Sequence, residues 1–259
     1  MHLFTALAIT AGAVMIYMSV FFVVAVKRND NSLADIAWGM GFILIAFVAL
    51  YLSGDINIRK ALATLLVTAW GLRLSFHICM RNRKMGEDWR YKKMRKLWKE
   101  TIFISSFVRI FLTQGIAMLI IAASVFYTNM RSPATSLNIF DFLGVILWLV
   151  GFFFETTGDL QLHRFKSNPK NKGKIMQEGL WRYTRHPNYF GESMMWWGIY
   201  LVALSVPYGS LTLFSPILIT AMLFKVTGIP PLEKKYGQNP EYKEYIRKTN
   251  EFFPWFPRK

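Results

Sequence analysis

Apolar positions run through this chain in seven long blocks separated by short polar stretches: Leu3 to Val26, Ala34 to Ser53, Ala61 to Met80, Ile102 to Phe126, Ile139 to Thr157, Asn188 to Val206 and Leu211 to Val226. A bilayer-crossing helix needs about 20 such residues. The pattern therefore predicts an all-α fold, a polytopic membrane helical bundle of about seven transmembrane helices. The first block lacks a basic start and exceeds the usual length of a signal peptide's apolar core, so it is expected to stay as a membrane anchor. No repeat, low-complexity linker or composition break divides the 259 residues, and a single membrane domain is expected.

Composition agrees: 53% of the residues are hydrophobic and 18% charged, too apolar for a soluble basic domain. A net charge of +16 would suit a nucleic-acid binder, but such a protein gathers its cations on one folded face. Here they lie between apolar blocks, so the lipid bilayer is the expected partner and nucleic acid is not. Nine Lys and Arg fall between Arg81 and Lys99, seven between Arg164 and Arg185, and seven after Val226, while the alternate loops hold only Arg59, Lys60 and Arg131. Positive residues are retained in the cytoplasm, which puts the N-terminus outside and the C-terminus inside. Trp89, Met94, Leu97 and Trp98 among the cations of Asp88 to Lys99 suit either a helix lying at the headgroups or a basic loop drawn to anionic lipid.

Cys79 is the single cysteine, and His2, His77, His163 and His186 have no ligand spacing, so no metal site is expected. Polar residues inside the apolar blocks are more informative, because ionisable groups in a bilayer are costly unless they face the protein interior or water. Asp35 and Trp38 open the second span, Arg73 and His77 lie near the end of the third, and Arg109 lies in the fourth. Glu155 and Asp159 close the fifth, and Asn188, Tyr189 and Glu192 open the sixth. The predicted topology brings all of them to the cytoplasmic side, as one site. Singly, each has a plainer reading: a snorkelling cation, a marker of the water boundary, or an interhelical donor.

From Gly158 to Glu192 the chain combines groups that suit a phosphate or adenosine ligand. Lys166, Arg182 and Arg185 can neutralise phosphate, the helix beginning near Asn188 offers free N–H groups, Asp159 and Glu192 can accept from ribose hydroxyls, and Tyr183 and Tyr189 offer flat faces. The same cations also serve as positive-inside residues. Neither GxGxxG after a strand nor GxxxxGK[ST] occurs, so a nucleotide would have to be held by the membrane helices themselves.

The stretches LADIAWG (Leu33 to Gly39), GEDWRY (Gly86 to Tyr91), GDLQLHRFK (Gly158 to Lys166), GLWRYTRHPNYFGE (Gly179 to Glu192) and YKEYIRKTNEFFPWFP (Tyr242 to Pro257) resemble the steroid 5-alpha-reductase-like membrane proteins, in particular a little-characterised bacterial and plant branch. The resemblance implies a seven-helix fold that holds NADPH on its cytoplasmic side and reduces a double bond conjugated to a ketone in a steroid-like or other hydrophobic lipid. It implies cofactor roles for Asp159, Arg182, Tyr183, Arg185, His186, Asn188, Tyr189 and Glu192, with Arg90, Tyr91, Tyr242 and Tyr245 as additions. It also implies a location in a bacterial inner membrane or the endoplasmic reticulum. A similar Arg-His-Pro-x-Tyr-x-Gly occurs in S-adenosylmethionine-dependent enzymes of the isoprenylcysteine carboxyl methyltransferase type, which keeps that activity as the alternative. The chain departs from the steroid reductases in one respect: they hold the ketone with a Glu on the second helix and a Tyr on the third, whereas here the second span has only Asp35 and the third has Trp70 and Arg73.

Charge favours the reductase, since NADPH carries a pyrophosphate and a 2′-phosphate while S-adenosylmethionine is nearly neutral. A transporter would line a path across the whole bilayer, but the outer halves of the spans are almost free of ionisable residues. For the chemistry, Asp35 is the first candidate to polarise a substrate carbonyl and Arg73 the second; alternatively the two form a structural ion pair. The topology has a direct test: a reporter fused after Phe165 should read cytoplasmic, and an outward reading would break the common level of the polar residues.

Overall fold

The computed structural model describes residues 2–258. Among these residues the secondary structure is entirely helical. The principal helices are α1 (Leu3–Arg28), α2 (Leu33–Ser53), α3 (Ile58–Met85), α4 (Trp89–Trp98), α5 (Ile102–Ser106), α6 (Thr113–Ile121), α7 (Ala123–Arg131), α8 (Ile139–Ser167), α9 (Pro187–Leu204), α10 (Phe214–Ala221), α11 (Ile229–Tyr236) and α12 (Pro240–Lys248). Backbone contacts divide them into two compact units, residues 1–138 with 202–212 and residues 139–201 with 213–259. Composition carries no mark of this division, because both units are built from membrane helices.

Six helical stretches among the described residues are long and apolar enough to cross a membrane, which makes this a multi-pass membrane protein. The sixth expected span, Asn188 to Val206, forms α9 but is not among the six. Its first turns hold Asn188, Glu192 and Ser193, which dilute its hydropathy. The basic stretch from Asp88 is a helix as expected, with the Asp88 side chain capping α4 through the Arg90 N–H. The fourth span also contains a π-helical segment, Phe107–Leu112, in which the Arg109 guanidinium lies 5.8 Å from the centre of the Trp98 ring.

In the first unit, α1 buries one face (Ala6, Thr10, Val14, Met18, Phe22) and leaves Phe4, Ile16 and Val20 exposed, as expected of a helix with lipid on its other sides. At the α2–α3 crossing two glycines meet. A Cβ on Gly39 would lie 2.6 Å from the Gly71 carbonyl oxygen, and the Ser75 hydroxyl donates across the same crossing to the Ile36 carbonyl at 2.9 Å.

The second unit is organised by α8 and α9. On α8 the buried positions Asp141, Gly144, Trp148, Gly151, Glu155 and Gly158 follow an alternating three-and-four spacing that forms one stripe along the helix, joined at its end by Asp159. Its glycines meet those of α9 in antiparallel order. A Cβ on Gly198 would strike the Gly144 carbonyl at 2.6 Å, a Cβ on Gly151 would strike the Gly191 carbonyl at 2.5 Å, and Gly158 faces Pro187 and the Asn188 N–H. Such small-residue seams let membrane helices pack on dispersion forces, since lipid supplies no hydrophobic drive between them. Here the seam also sets Glu155 beside Gly191 and Asp159 beside Asn188.

Gly191→Ala should therefore lower the melting temperature of detergent-solubilised protein, at a cost of about 1–3 kcal/mol from overpacking. Gly12→Ala, with nothing within 4 Å of the new Cβ, should leave it unchanged or slightly raised. Equal melting of the two variants would remove the backbone contact from the account of this fold.

Candidate functional site

The expected site residues fall into two groups, one in each unit. In the first unit the α1–α2 loop is stitched to the segment before α4. The Asn31 N–H donates to Glu87 at 2.9 Å, the Asn31 amide donates to the Ser106 hydroxyl at 2.9 Å, and the Asn82 amide donates to the Ser32 hydroxyl at 3.0 Å. This holds α4 over the start of α2, where Asp35 accepts from Arg90 Nη2 at 2.7 Å through one oxygen and from the Tyr91 hydroxyl through the other. The Gln114 amide in turn reaches the Tyr91 hydroxyl at 3.4 Å. Arg81 lies 3.4 Å from Asp88 and 3.9 Å from Asp35. Burial by itself would raise the Asp88 carboxyl, but the Arg90 charge and its hydrogen bonds outweigh that and hold it below its ordinary value.

Two expectations are corrected by this geometry. The ionic partners of Asp35 are Arg90 and Arg81, and Arg73 is on α3 outside that pair. The reason is that α4 folds back over the α2 N-terminus, which no helix-by-helix reading of depth foresees. Arg90 and Tyr91, expected to meet the cofactor, are likewise committed to Asp35. Sequence reasoning missed Arg81, Asp88 and Gln114, although Asp88 lies inside the GEDWRY stretch and Arg81 on the last turns of α3 before it.

In the second unit the density of polar residues resolves into two layers. The inner layer lies on the α8–α9 seam: Asp159 accepts from the Asn188 amide at 3.1 Å, and Glu155 and Glu192 are buried beside them. The Trp181 indole donates to the Gly158 carbonyl at 3.0 Å, and the Leu180 N–H donates to Gln161 at 2.9 Å, fixing the start of the RYTRHP segment against the end of α8. The outer layer is centred on Arg185, 7% exposed, which donates from Nε and Nη2 to Glu233 at 2.9 and 2.6 Å and from Nη1 to the Thr249 carbonyl at 2.7 Å. Tyr242 reaches the same Glu233 oxygen at 3.5 Å, and Tyr245 donates to the Trp181 carbonyl.

Arg185 is thus a structural cation whose charge Glu233 already neutralises, where the sequence reading expects a phosphate ligand. Glu233 was missed because 48 residues separate it from Arg185 and no local pattern links them. His186 stacks on Tyr189, with ring centroids 5.6 Å apart and planes 15° from parallel, and its Nε2 lies 3.6 Å from Glu233, beyond hydrogen-bond reach. Burial lowers the imidazole below its ordinary value despite the opposing pull of Glu233, so it is neutral. Burial raises the Tyr242 and Tyr245 hydroxyls, which stay protonated donors. Neither His186 nitrogen has a hydrogen-bond partner, and neither does the buried Asn188 Oδ1. Arg182 and Tyr183 are exposed on the same segment, and Lys166 is exposed at the end of α8. A cleft of about 310 Å³ opens beside them, lined by Gln161, Arg164, Phe165, Asn171, Met176 and Glu178.

Glu233→Ala should strand the buried Arg185 charge and cost about 2–3 kcal/mol, less than a fully buried pair because Glu233 is 24% exposed. The double variant Arg185→Met/Glu233→Leu should recover most of the melting temperature. Additive losses would exclude the pair as the centre of this layer.

Comparison with known proteins gives a family and little chemistry. Over 89% of its length the chain is 22% identical to an uncharacterised protein of Schizosaccharomyces pombe, covering 74% of that relative. A shorter stretch of 66 residues is 36% identical to a probable O-methyltransferase of Ustilaginoidea virens, covering 26% of this chain and 23% of that protein. No solved structure matches. The family described as "Protein of unknown function (DUF1295)" matches residues 21–249, and since that is most of the chain, the protein belongs to this family of membrane proteins.

Proposed function

We propose that this protein is a membrane-embedded, NADPH-dependent reductase of a conjugated carbon–carbon double bond in a hydrophobic lipid. The observation that carries the reading is the Asp35–Tyr91 pair. An acid and a tyrosine are the residue types with which the steroid reductases hold a substrate ketone, and the sequence lacks them at the expected places. Here the tyrosine comes from α4, and its hydroxyl is buried between Asp35 and Gln114. When a carbonyl oxygen takes the Tyr91 hydroxyl proton as its hydrogen bond, Arg90 and Arg81 still compensate the Asp35 charge. Tyr91 then stabilises the negative charge that develops on that oxygen, and it supplies the proton of the saturated product. Asp35 therefore passes from first candidate to support of this group, and Arg73, which lies outside the Asp35 pair, takes no part in it.

The second unit fits the cofactor by its donor set. Asp159, Glu192 and the unpartnered Asn188 Oδ1 are buried acceptors suited to ribose hydroxyls and a carboxamide, and His186 and Tyr189 add a flat face. Arg164, Lys166 and Arg182 are exposed cations suited to phosphates, on the face that the loop charges assign to the cytoplasm. NADPH, when bound, supplies the hydride; the protein supplies orientation and electrostatics. A second reading, methyl transfer from S-adenosylmethionine, is favoured by the short match to a probable O-methyltransferase and by an interior whose buried cation is already paired.

Titration of the detergent-solubilised protein separates them. NADPH should raise the melting temperature more than NADH, with a gain of about 2.7 kcal/mol at a hundredfold excess over Kd. Arg182→Ala should weaken NADPH binding about tenfold, the loss of a charge-assisted contact. Tyr91→Phe should keep the NADPH shift and lose turnover. Stabilisation by S-adenosylmethionine alone would replace the reductase by the second reading.

A further inference from the structure

The last residues form a strap that is firmly docked and yet presents aromatic rings outward. Its backbone is fastened to the RYTRHP segment: the Arg185 N–H donates to the Asn250 carbonyl at 2.9 Å, the Thr184 hydroxyl to Phe252 at 2.9 Å, and the Trp255 N–H to Tyr183 at 2.9 Å. Phe252 is buried against Phe190 and Ile229. Pro254 and Pro257 restrict the backbone between these fastenings. On this fixed support Phe253, Trp255 and Phe256 are 70%, 67% and 74% exposed.

Depth within the second unit follows from ring contacts. Phe253 touches Phe190 at 6.1 Å between centroids, and Phe190 touches Phe154 of α8 at 5.1 Å. Phe154 lies where the membrane-spanning run of α8 gives way to Glu155 and Asp159, with the exposed Phe153 as its neighbour. Through Phe190, Phe253 of the strap is therefore joined by ring contacts to the turn at which a spanning helix changes from apolar to polar. Arg258, whose N–H donates to the Lys248 carbonyl at 2.8 Å, places cations beside the strap. Aromatic rings gather at the bilayer–water boundary, and adjacent cations are drawn to anionic headgroups.

We propose that Phe253, Trp255 and Phe256 are an interfacial anchor inserted among the headgroups of an anionic leaflet, and that the strap registers the RYTRHP segment against the membrane surface. A hydrophobic substrate confined to that leaflet would thereby meet this segment at a set depth. The assignment is independent of which cofactor the protein uses.

Full-length protein carrying Cys79→Ser and Phe256→Cys, labelled there with an environment-sensitive fluorophore, tests it in vesicles of phosphatidylcholine with or without phosphatidylglycerol. Quenching by lipids bearing a nitroxide near the headgroup, stronger when phosphatidylglycerol is present, is the expected result. Quenching only by a water-soluble agent would overturn the proposal, and so would self-quenching between labelled copies with neither agent effective, which would mean that a second copy covers the rings. Should the cysteine variant not fold, the emission lost in Trp255→Phe reports the same position: brominated lipids should quench that component in the wild type, and insensitivity to them would equally overturn it.

Discussion

At two helix crossings of this protein glycines let the backbones touch, and polar side chains meet beside those contacts. Lipid offers neither water to satisfy a buried acid nor a hydrophobic drive to push helices together, so close packing must supply the cohesion. Along α8 the spacing of Gly144, Gly151 and Gly158 matches Gly198, Gly191 and the α9 N-terminus. The acids beside those glycines, Glu155 and Asp159, are consequently shielded by a neighbouring helix. At Gly39 and Gly71 the same device joins α2 to α3, and the Asp35 end of α2 is then close enough for α4 to fold over.

Charge pairing follows from that shielding. Two of the charge pairs join distant parts of the chain: Asp35 pairs with Arg90 of α4, and Arg185 with Glu233 of α11. Removing one member of such a pair costs more than the pair gains on forming, because the remaining charge stays desolvated. These networks therefore act as specifiers of geometry. Arg185 and Glu233 hold together the RYTRHP segment and α11, with Thr249 drawing in the strap that follows α12.

This changes how the cation-rich composition bears on ligands. In the second unit the buried surface is rich in acceptors, whereas Arg164, Lys166 and Arg182 lie outside it on the exposed face. A ligand with a sugar and amide part and a separate anionic part matches that division, which is the physical content of the cofactor proposal. A hydroxyl held by an acid and an amide, as at Tyr91, is suited to polarising a carbonyl only because Arg90 stabilises the carboxylate when the hydroxyl turns away.

Much of the architecture is legible in the chain itself. Spans are set by the length of apolar runs, since each must satisfy its own backbone across about 30 Å of hydrocarbon. The amphipathic α4 follows from Asp88 as a cap and from the pattern behind it. The sixth expected span forms α9, whose hydropathy is diluted by Asn188, Glu192 and Ser193 at its start. The density of polar residues from Gly158 to Glu192 is plain in the sequence, yet it does not say which cations are spoken for. Only the tertiary structure decides that Arg185 faces Glu233, that Asp35 takes Arg90 in place of Arg73, and that Tyr91 joins an acid from another helix. The reason is physical: composition and hydropathy act locally and set which segments enter the membrane, whereas a buried charge is satisfied by whichever counter-charge the packing of remote glycine-lined helices brings within about 3 Å.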